Sequence, residues 1–303
     1  MITIIIPIIY YGEYAIPAVQ SISKHIGCYD NIDFLFVCSC PEVALQTKSI
    51  LQDTALSPNC QIVTANNRSS NFLRGFAVKY VKTQFLYYQD CDDLVDYAYI
   101  SEIVKNFSVE NIYCFNIYRR TIDNNNNVIA EKRLYTLPEN KQLTIQELPT
   151  NIVNKVIPTS LMSEIEFFNL PFSQDWSISF QLFRFVPHFF IDRDVYQYEN
   201  NQSSTAGIRK TKYNSLLRIC VVEKYFQNLY KDNYADQLYL KYRYSLLLEG
   251  RFSFLGVPYF PKYKFDMFNL RYFSLKDITK HVYHFCHSII NYMALKFKHN
   301  GEI

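Results

Sequence analysis

Four aspartates fall within seven residues at the end of an aromatic run, Tyr87-Tyr88-Gln89-Asp90-Cys91-Asp92-Asp93-Leu94-Val95-Asp96. Aspartate is a poor strand former, and carboxylates this close repel one another unless something positive sits among them. Two arrangements meet that constraint: a solvated turn whose acids cap a helix, or a site that holds a cation. The stretch does not match a calcium loop of the EF-hand type, whose central glycine and later ligands are missing. Two or three hard oxygens with open positions suit Mg2+ or Mn2+ bridged to a diphosphate, with Asp92 and Asp90 as the ligands. A further acid, Asp175 in the stretch Pro171-Phe172-Ser173-Gln174-Asp175-Trp176, stands at the start of a helical pattern. Its simplest role is the N-cap of a helix beginning at Trp176.

The elements before the cluster decide how it is presented. Ile2 to Ile9 is a continuous run rich in β-branched residues, which fits a strand buried on both faces of a parallel sheet. Residues 11–25 carry Ile16, Val19 and Ile22 at helical spacing, with Pro17 tolerable in the first turn. Asp33 to Cys38 and Gln61 to Val63 read as further strands, with a helix opening at Pro41-Glu42 between them. A helix over Phe72 to Val81 then leads to a strand over Gln84 to Tyr88. Alternation at this spacing predicts βαβ units and a doubly wound α/β sheet. The acidic cluster follows the C-terminal end of a strand, where open α/β sheets bind their ligands. Alternating side chains would aim Asp90 and Asp92 at the same crevice.

Beyond the cluster the pattern changes. Residues 111–135 read as two strands joined by an Asn-rich hairpin turn at 123–127, and a loop-rich stretch leads to the helix near Asp175. Residues 189–205 read as a strand and a polar loop. From about Lys212 the chain reads as largely helical, which sets expected domains at 1–211 and 212–303. Ile278, Val282, Phe285, Ile289 and Met293 form one stripe of the last helix.

Composition narrows the function classes. A chain of 303 residues with 49% hydrophobic and 19% charged residues has the means to bury a full core. Its net charge of +3, spread without a basic run, gives no footprint for nucleic acid. The eight cysteines are scattered, with no C-x-x-C pair, and read as buried free thiols of a reducing cytoplasm. The first apolar run lacks a preceding basic segment and is broken by Pro7, so it reads as neither a signal peptide nor a span. His281, His284 and His287 spread over a broad helical face with Cys286 away from them, which reads as a solvated face rather than a zinc site. Lys276, Lys280, Lys296 and Lys298 allow the same helix either to lie on an anionic membrane surface or to pack on the preceding domain.

Residues 66–93 resemble the nucleotide-sugar half of the family 2 glycosyltransferases, whose pattern is N-x-G-x-S-x-A-R-N-x-G followed by a helix, a strand and D-x-D-D. Counting back from Asp90 places Asn67 on the first Asn and Arg74 on the Arg, while Gly75 falls on the second Asn. The opening strand with Pro7 and Tyr10, the segment Gln174-Asp175-Trp176 beside the family's E-D-W, and Val195 to Thr205 beside its Y-R-x-x-x-x-S ending extend the resemblance over about 205 residues. One departure stands out. The family's second strand ends in an acidic pair that helps hold the nucleobase, whereas this one ends Cys38-Ser39-Cys40, leaving Ser39 to offer a neutral hydrogen bond.

The resemblance implies a GT-A fold, a Rossmann-like mixed and mostly parallel sheet flanked by helices with a helical C-terminal extension. It also implies an inverting glycosyltransferase that moves a sugar from a nucleotide-diphosphate donor such as a UDP-sugar. The acceptor would be a glycan or a lipid-linked glycan of capsule, O-antigen or lipooligosaccharide synthesis. Pro7, Tyr10, Ser39, Asn67, Arg74, Asp90 and Asp92 would bind the donor, with Mn2+ or Mg2+ on Asp92 and Asp90. Asp175 would be the general base. The expected location is the cytoplasm, with peripheral contact to the inner-membrane surface. The alternative is a degenerate domain of the same fold that binds a sugar or nucleotide, or scaffolds a partner, without turnover.

Overall fold

The computed structural model describes residues 1–11, 15–122, 128–144, 147–167 and 174–200. The chain divides into two units, residues 1–207 and 208–303, and every described residue lies in the first. The expected C-terminal helices, the histidine series, the four lysines and the Asn-rich turn lie outside the described residues.

The buried β-branched run forms β1 (Ile2–Ile8), with all seven residues buried. It pairs in parallel with β2 (Ile32–Cys38) on one side and β4 (Phe85–Tyr88) on the other, and β2 pairs in parallel with β3 (Cys60–Thr64). The intervening helices α1 (Ala15–Ser23), α2 (Pro41–Leu51) and α3 (Ser70–Val78) supply the crossovers. Each buries one stripe; that of α1 is Ala15, Ala18, Val19 and Ile22. The chain thus runs outward from β1 to β3 and then returns to β4 on the other side of β1. This reversal leaves a crevice at the C-terminal ends of β1 and β4.

Beyond β4 come β5 (Leu94–Val95), α4 (Tyr97–Ile103), β6 (Ile112–Ile122), β7 (Val128–Arg133), β8 (Lys141–Gln142), β9 (Lys155–Pro158), α5 (Gln174–Phe185) and β10 (His188–Asn200). The ten strands among the described residues form one sheet in the order β3-β2-β1-β4-β9-β6-β10-β5, with β7 added to β6 and β8 to β10. The long β6–β10 pairing is parallel, and β9 joins the two parallel halves by pairing antiparallel with both β4 and β6. The expected hairpin strands are present as β6 and β7, paired antiparallel. Two details differ from the sequence reading. The loop-rich stretch contains β8 and β9, and α3 stops at Val78 rather than Val81, where Tyr80 and Val81 bond back to Ala77 and Val78 in tighter turns. The six described cysteines are free thiols, with Cys38 and Cys114 buried.

Gly75 has a packing reason. A Cβ at this position would lie 2.7 Å from Cγ and 2.8 Å from Cδ2 of the Phe167 ring. The ring occupies the space that the family's asparagine would need. Gly75→Asn should therefore lower stability by about 1–3 kcal/mol through overpacking, read from urea denaturation. Adding Phe167→Ala should recover part of that loss; equal losses in the single and double variants would show that the ring is not what excludes the side chain.

Candidate functional site

The loop from β3 into α3 is built from local bonds. Asn66 adopts a left-handed φ of 52°, a conformation asparagine tolerates better than most residues. Asn67 Oδ1 accepts the Ser69 N–H at 2.8 Å, and the Ser69 hydroxyl accepts the Phe72 N–H as the N-cap of α3. These bonds fix the start of α3, whose inner face carries Asn71, Leu73, Arg74 and Ala77.

Arg74 is the centre of the site. Its side chain is buried, yet it makes two ion pairs of 2.7 Å, Nη2 to Asp90 Oδ1 and Nη1 to Asp175 Oδ1. Burial works against the guanidinium charge, but Asp175 and Asp90 more than offset it and hold its pKa above the ordinary value. One planar fork therefore links the turn after β4 to the start of α5, with Arg74 and Asp175 101 residues apart. Asp175 lies within the first turn of α5, which begins at Gln174, and not at the flanking N-cap position. Its carboxylate reaches Arg74 and keeps Oδ2 for another partner. The helix is held in place by Ser179, which donates to Thr150 O at 3.0 Å, and by Gln181, which pairs with the Glu166 backbone in both directions.

The four aspartates after β4 have separate surroundings. Pairing of β4 ends at Tyr88, so strand alternation no longer governs where these side chains go. Asp90 to Asp93 instead form a turn closed by the Asp93 N–H on Asp90 O at 3.2 Å. Asp90 meets Arg74, and Asp92 is exposed at the tip of the turn. Asp93 is 1% exposed and accepts the Tyr196 hydroxyl at 2.5 Å. Asp96 caps α4 by accepting the Tyr99 N–H. Gln89 braces the turn from inside, donating to Asp93 O and accepting the Tyr97 hydroxyl. Burial, and after it Asp93 and Asp90, raise the Tyr196 phenol well above its ordinary pKa, so it remains a donor.

The other expected donor-binding residues lie at the strand ends. Pro7 is buried inside β1 opposite Val37, and Tyr10 is 68% exposed just beyond that strand. Ser39, after β2, is buried and donates its hydroxyl to Ile9 O at 2.5 Å. It therefore has only acceptor capacity left for a ligand. An open cleft of about 380 Å3 borders β5 and β10 near Asp96, Tyr118 and Asp194, but Arg74, Asp90 and Asp175 do not line it.

The carboxylates can be tested against Mg2+ or Mn2+. Among the described residues no three His, Cys, Asp or Glu side chains converge as a cage. Asp90 spends Oδ1 on Arg74 but keeps a side chain 41% exposed, and Asp92 is exposed beside it. One or two carboxylates with room for phosphate oxygens and water form the donor set these ions prefer, so the residues fit.

Two participants are not evident in the sequence pattern. Tyr196 is one. The other is Lys155, wholly buried, whose ammonium donates to Pro149 O at 2.6 Å, to Asn154 Oδ1 at 3.1 Å and to Asn151 O. It fixes the loop before β9 that also anchors α5. A lysine between asparagine and an apolar strand, Asn154-Lys155-Val156-Ile157, was the available signal.

No family model matches the sequence, and no curated protein matches it. Solved structures do resemble it. Residues 1–349 of S. aureus TarS in complex with UDP-GlcNAc give a TM-score of 0.57 at 13% identity, over 93% of this chain and 79% of that one. A structure of S. aureus TarS gives 0.54 at 13% identity, over 96% of this chain and 54% of the other. GalNAc-T7 with UDP, GalNAc and Mn2+ gives 0.52 at 15% identity, over 81% of this chain and 51% of that one. At such identities the likeness is one of fold, and the fold is GT-A.

The buried lysine generates a pH prediction. Burial lowers the Lys155 pKa to about 8 although Cys114 and Asp175 pull it upward. An unfolded lysine titrates near ~10.4. Between these values the unfolded chain binds the proton that the folded chain has released, so stability rises with pH across that window. Relative to Lys155→Met, the wild type should gain about 3 kcal/mol between pH 8 and ~10.4, measured by urea denaturation. A difference that stays flat across the window would show that Lys155 titrates as an exposed lysine.

Proposed function

We propose that the chain is an inverting glycosyltransferase that moves a sugar from a nucleotide-diphosphate donor to a hydroxyl acceptor. One observation carries the reading. Asp90, in the turn after β4, and Asp175, in the first turn of α5, meet on the single guanidinium of Arg74 at the sheet's C-terminal crevice. Support comes from the fold, which is shared with proteins solved with UDP-GlcNAc or with UDP, GalNAc and Mn2+.

In this mechanism Arg74 orients Asp175 through Oδ1, and Oδ2 takes the proton from the acceptor hydroxyl as it attacks. A single base on the face opposite the leaving group gives direct displacement and inversion at the anomeric carbon. Asn67, Asp90 and the loop ends carrying Tyr10 and Ser39 hold the nucleotide. The Mg2+ or Mn2+ that Asp92 and Asp90 would hold supplies Lewis-acid neutralisation of the departing diphosphate. We assign the acceptor to glycans or lipid-linked glycans of bacterial surface polysaccharides, and the work to the cytoplasmic face of the inner membrane. No described helix is long and apolar enough to cross a membrane, which fits peripheral contact.

A binding or scaffold role without turnover is favoured by one feature, the buried Ser39 whose hydroxyl proton is taken by Ile9 O. A donor-hydrolysis screen over nucleotide sugars with Mn2+ or Mg2+ separates the two readings. Saturable release of one nucleotide, abolished by EDTA and restored by the ion, is expected; its absence across all donors leaves the binding role.

Asp175→Asn keeps the shape and cannot take the proton, so kcat should fall by roughly 10²-fold or more with donor affinity nearly unchanged. Asp92→Asn should instead weaken metal-dependent donor binding and leave the melting temperature near that of the wild type. Wild-type turnover by Asp175→Asn would end the case for this base.

A further inference from the structure

The acidic turn depends on a side chain that arrives more than a hundred residues later. Asp90 and Asp93 face the same short loop, and Asp93 is 1% exposed. A buried carboxylate is costly unless donors surround it. The Tyr196 hydroxyl supplies one, donating to Asp93 Oδ2 at 2.5 Å while accepting the Asp90 N–H at 3.3 Å. A single buried oxygen thus bonds both ends of the turn.

The strand that carries Tyr196 is irregular at this point. Between the pairs Ile191–Phe115 and Tyr196–Ile117, β10 advances five residues while β6 advances two. The excess of three is odd, and an odd register shift moves side chains to the opposite face of the sheet. In unbroken register Tyr196 would present its ring to the other face. The bulges also let Tyr196 pair with Val95 of β5, so the strand after the turn is held by the same residue.

We propose that Tyr196 is a positioning residue whose hydroxyl clamps the Asp90–Asp93 turn, keeps Asp93 out of the ligand set and presents Asp92 at the tip to a divalent cation bound to a nucleoside diphosphate. The proposal rests on the donor-site reading above. It makes two acids of one type functionally unequal: Asp93 anchors the turn through Tyr196 and Asp92 serves the ligand.

The test uses the full chain with two readouts, amide hydrogen exchange over residues 90–95 and Mn2+ titration in the presence of UDP, followed by the loss of the free Mn2+ spin signal. Tyr196→Phe, which keeps the ring, should speed exchange in the turn at least tenfold and weaken Mn2+ binding about tenfold, with UDP binding in EDTA unchanged. Asp93→Asn, which can still accept the phenol proton, should hold Mn2+ within about threefold of the wild type, while Asp92→Asn should lose it. Unchanged exchange and Mn2+ affinity in Tyr196→Phe would overturn the clamp. Loss of Mn2+ in Asp93→Asn equal to that in Asp92→Asn would also overturn it, because Asp93 would then be a ligand. If wild type binds no Mn2+ with UDP, the donor-site reading falls and the proposal with it, an outcome distinct from a failed clamp because the exchange data are read separately.

Discussion

A guanidinium buried beneath the sheet's crevice is tolerable only when its charge is met, and Arg74 meets it with Asp90 and Asp175 at 2.7 Å each. Much of the site's arrangement follows from that requirement. The helix α3 must deliver Arg74 inward, which is why its N-terminus is set by the Asn67 and Ser69 bonds. The helix α5 must begin where its first turn can reach Arg74, and the backbone ties of Ser179 and Gln181 hold it there. Removing one acid from such an arrangement leaves a buried charge half-compensated, a costlier change than losing an exposed ion pair.

The four aspartates after β4 show how little a residue type says by itself. Asp96 is the helix cap, and Asp93 is a buried acceptor for a phenol. Asp90 completes the Arg74 pair, and Asp92 is the exposed member. The mutual repulsion expected from the sequence is relieved largely by donors: a guanidinium, a tyrosine hydroxyl and a helix N-terminus. The helix-cap reading of the cluster therefore applies to Asp96, and the proposed cation site would draw on other members of it.

The parallel half of the fold was legible because its strands are buried on both faces and its helices carry one apolar stripe. Ile2 to Ile9 reads as a strand buried on both faces from composition alone. The antiparallel insert was not. Lys155–Pro158 is four residues bearing a lysine and ending in proline, and only its neighbours β4 and β6 make it a strand. The site divides in the same way. Asn67, Arg74, Asp90 and Asp92 are singled out through the resemblance of one continuous segment, but the Arg74–Asp175 pair spans 101 residues and leaves no local trace. Tyr196 is one of 26 tyrosines, and only the register shift in β10 gives it a distinct position.

The order of synthesis follows from the same separations. The first 90 or so residues carry β1 to β4 with their crossovers and can form their parallel pairings as they emerge. The acidic turn cannot be completed then, since the hydroxyl that bonds Asp93 belongs to a residue 103 positions later. The edge of β4 is open until β9 leaves the ribosome, and the Arg74 guanidinium has only one of its two acids until α5 follows. Long-range closure of this kind is slow, because the loop entropy is lost before the contacts form. The parallel core therefore precedes the crevice it serves, and a chain halted before residue 174 has Arg74 paired with Asp90 alone and Asp93 still waiting for the Tyr196 hydroxyl.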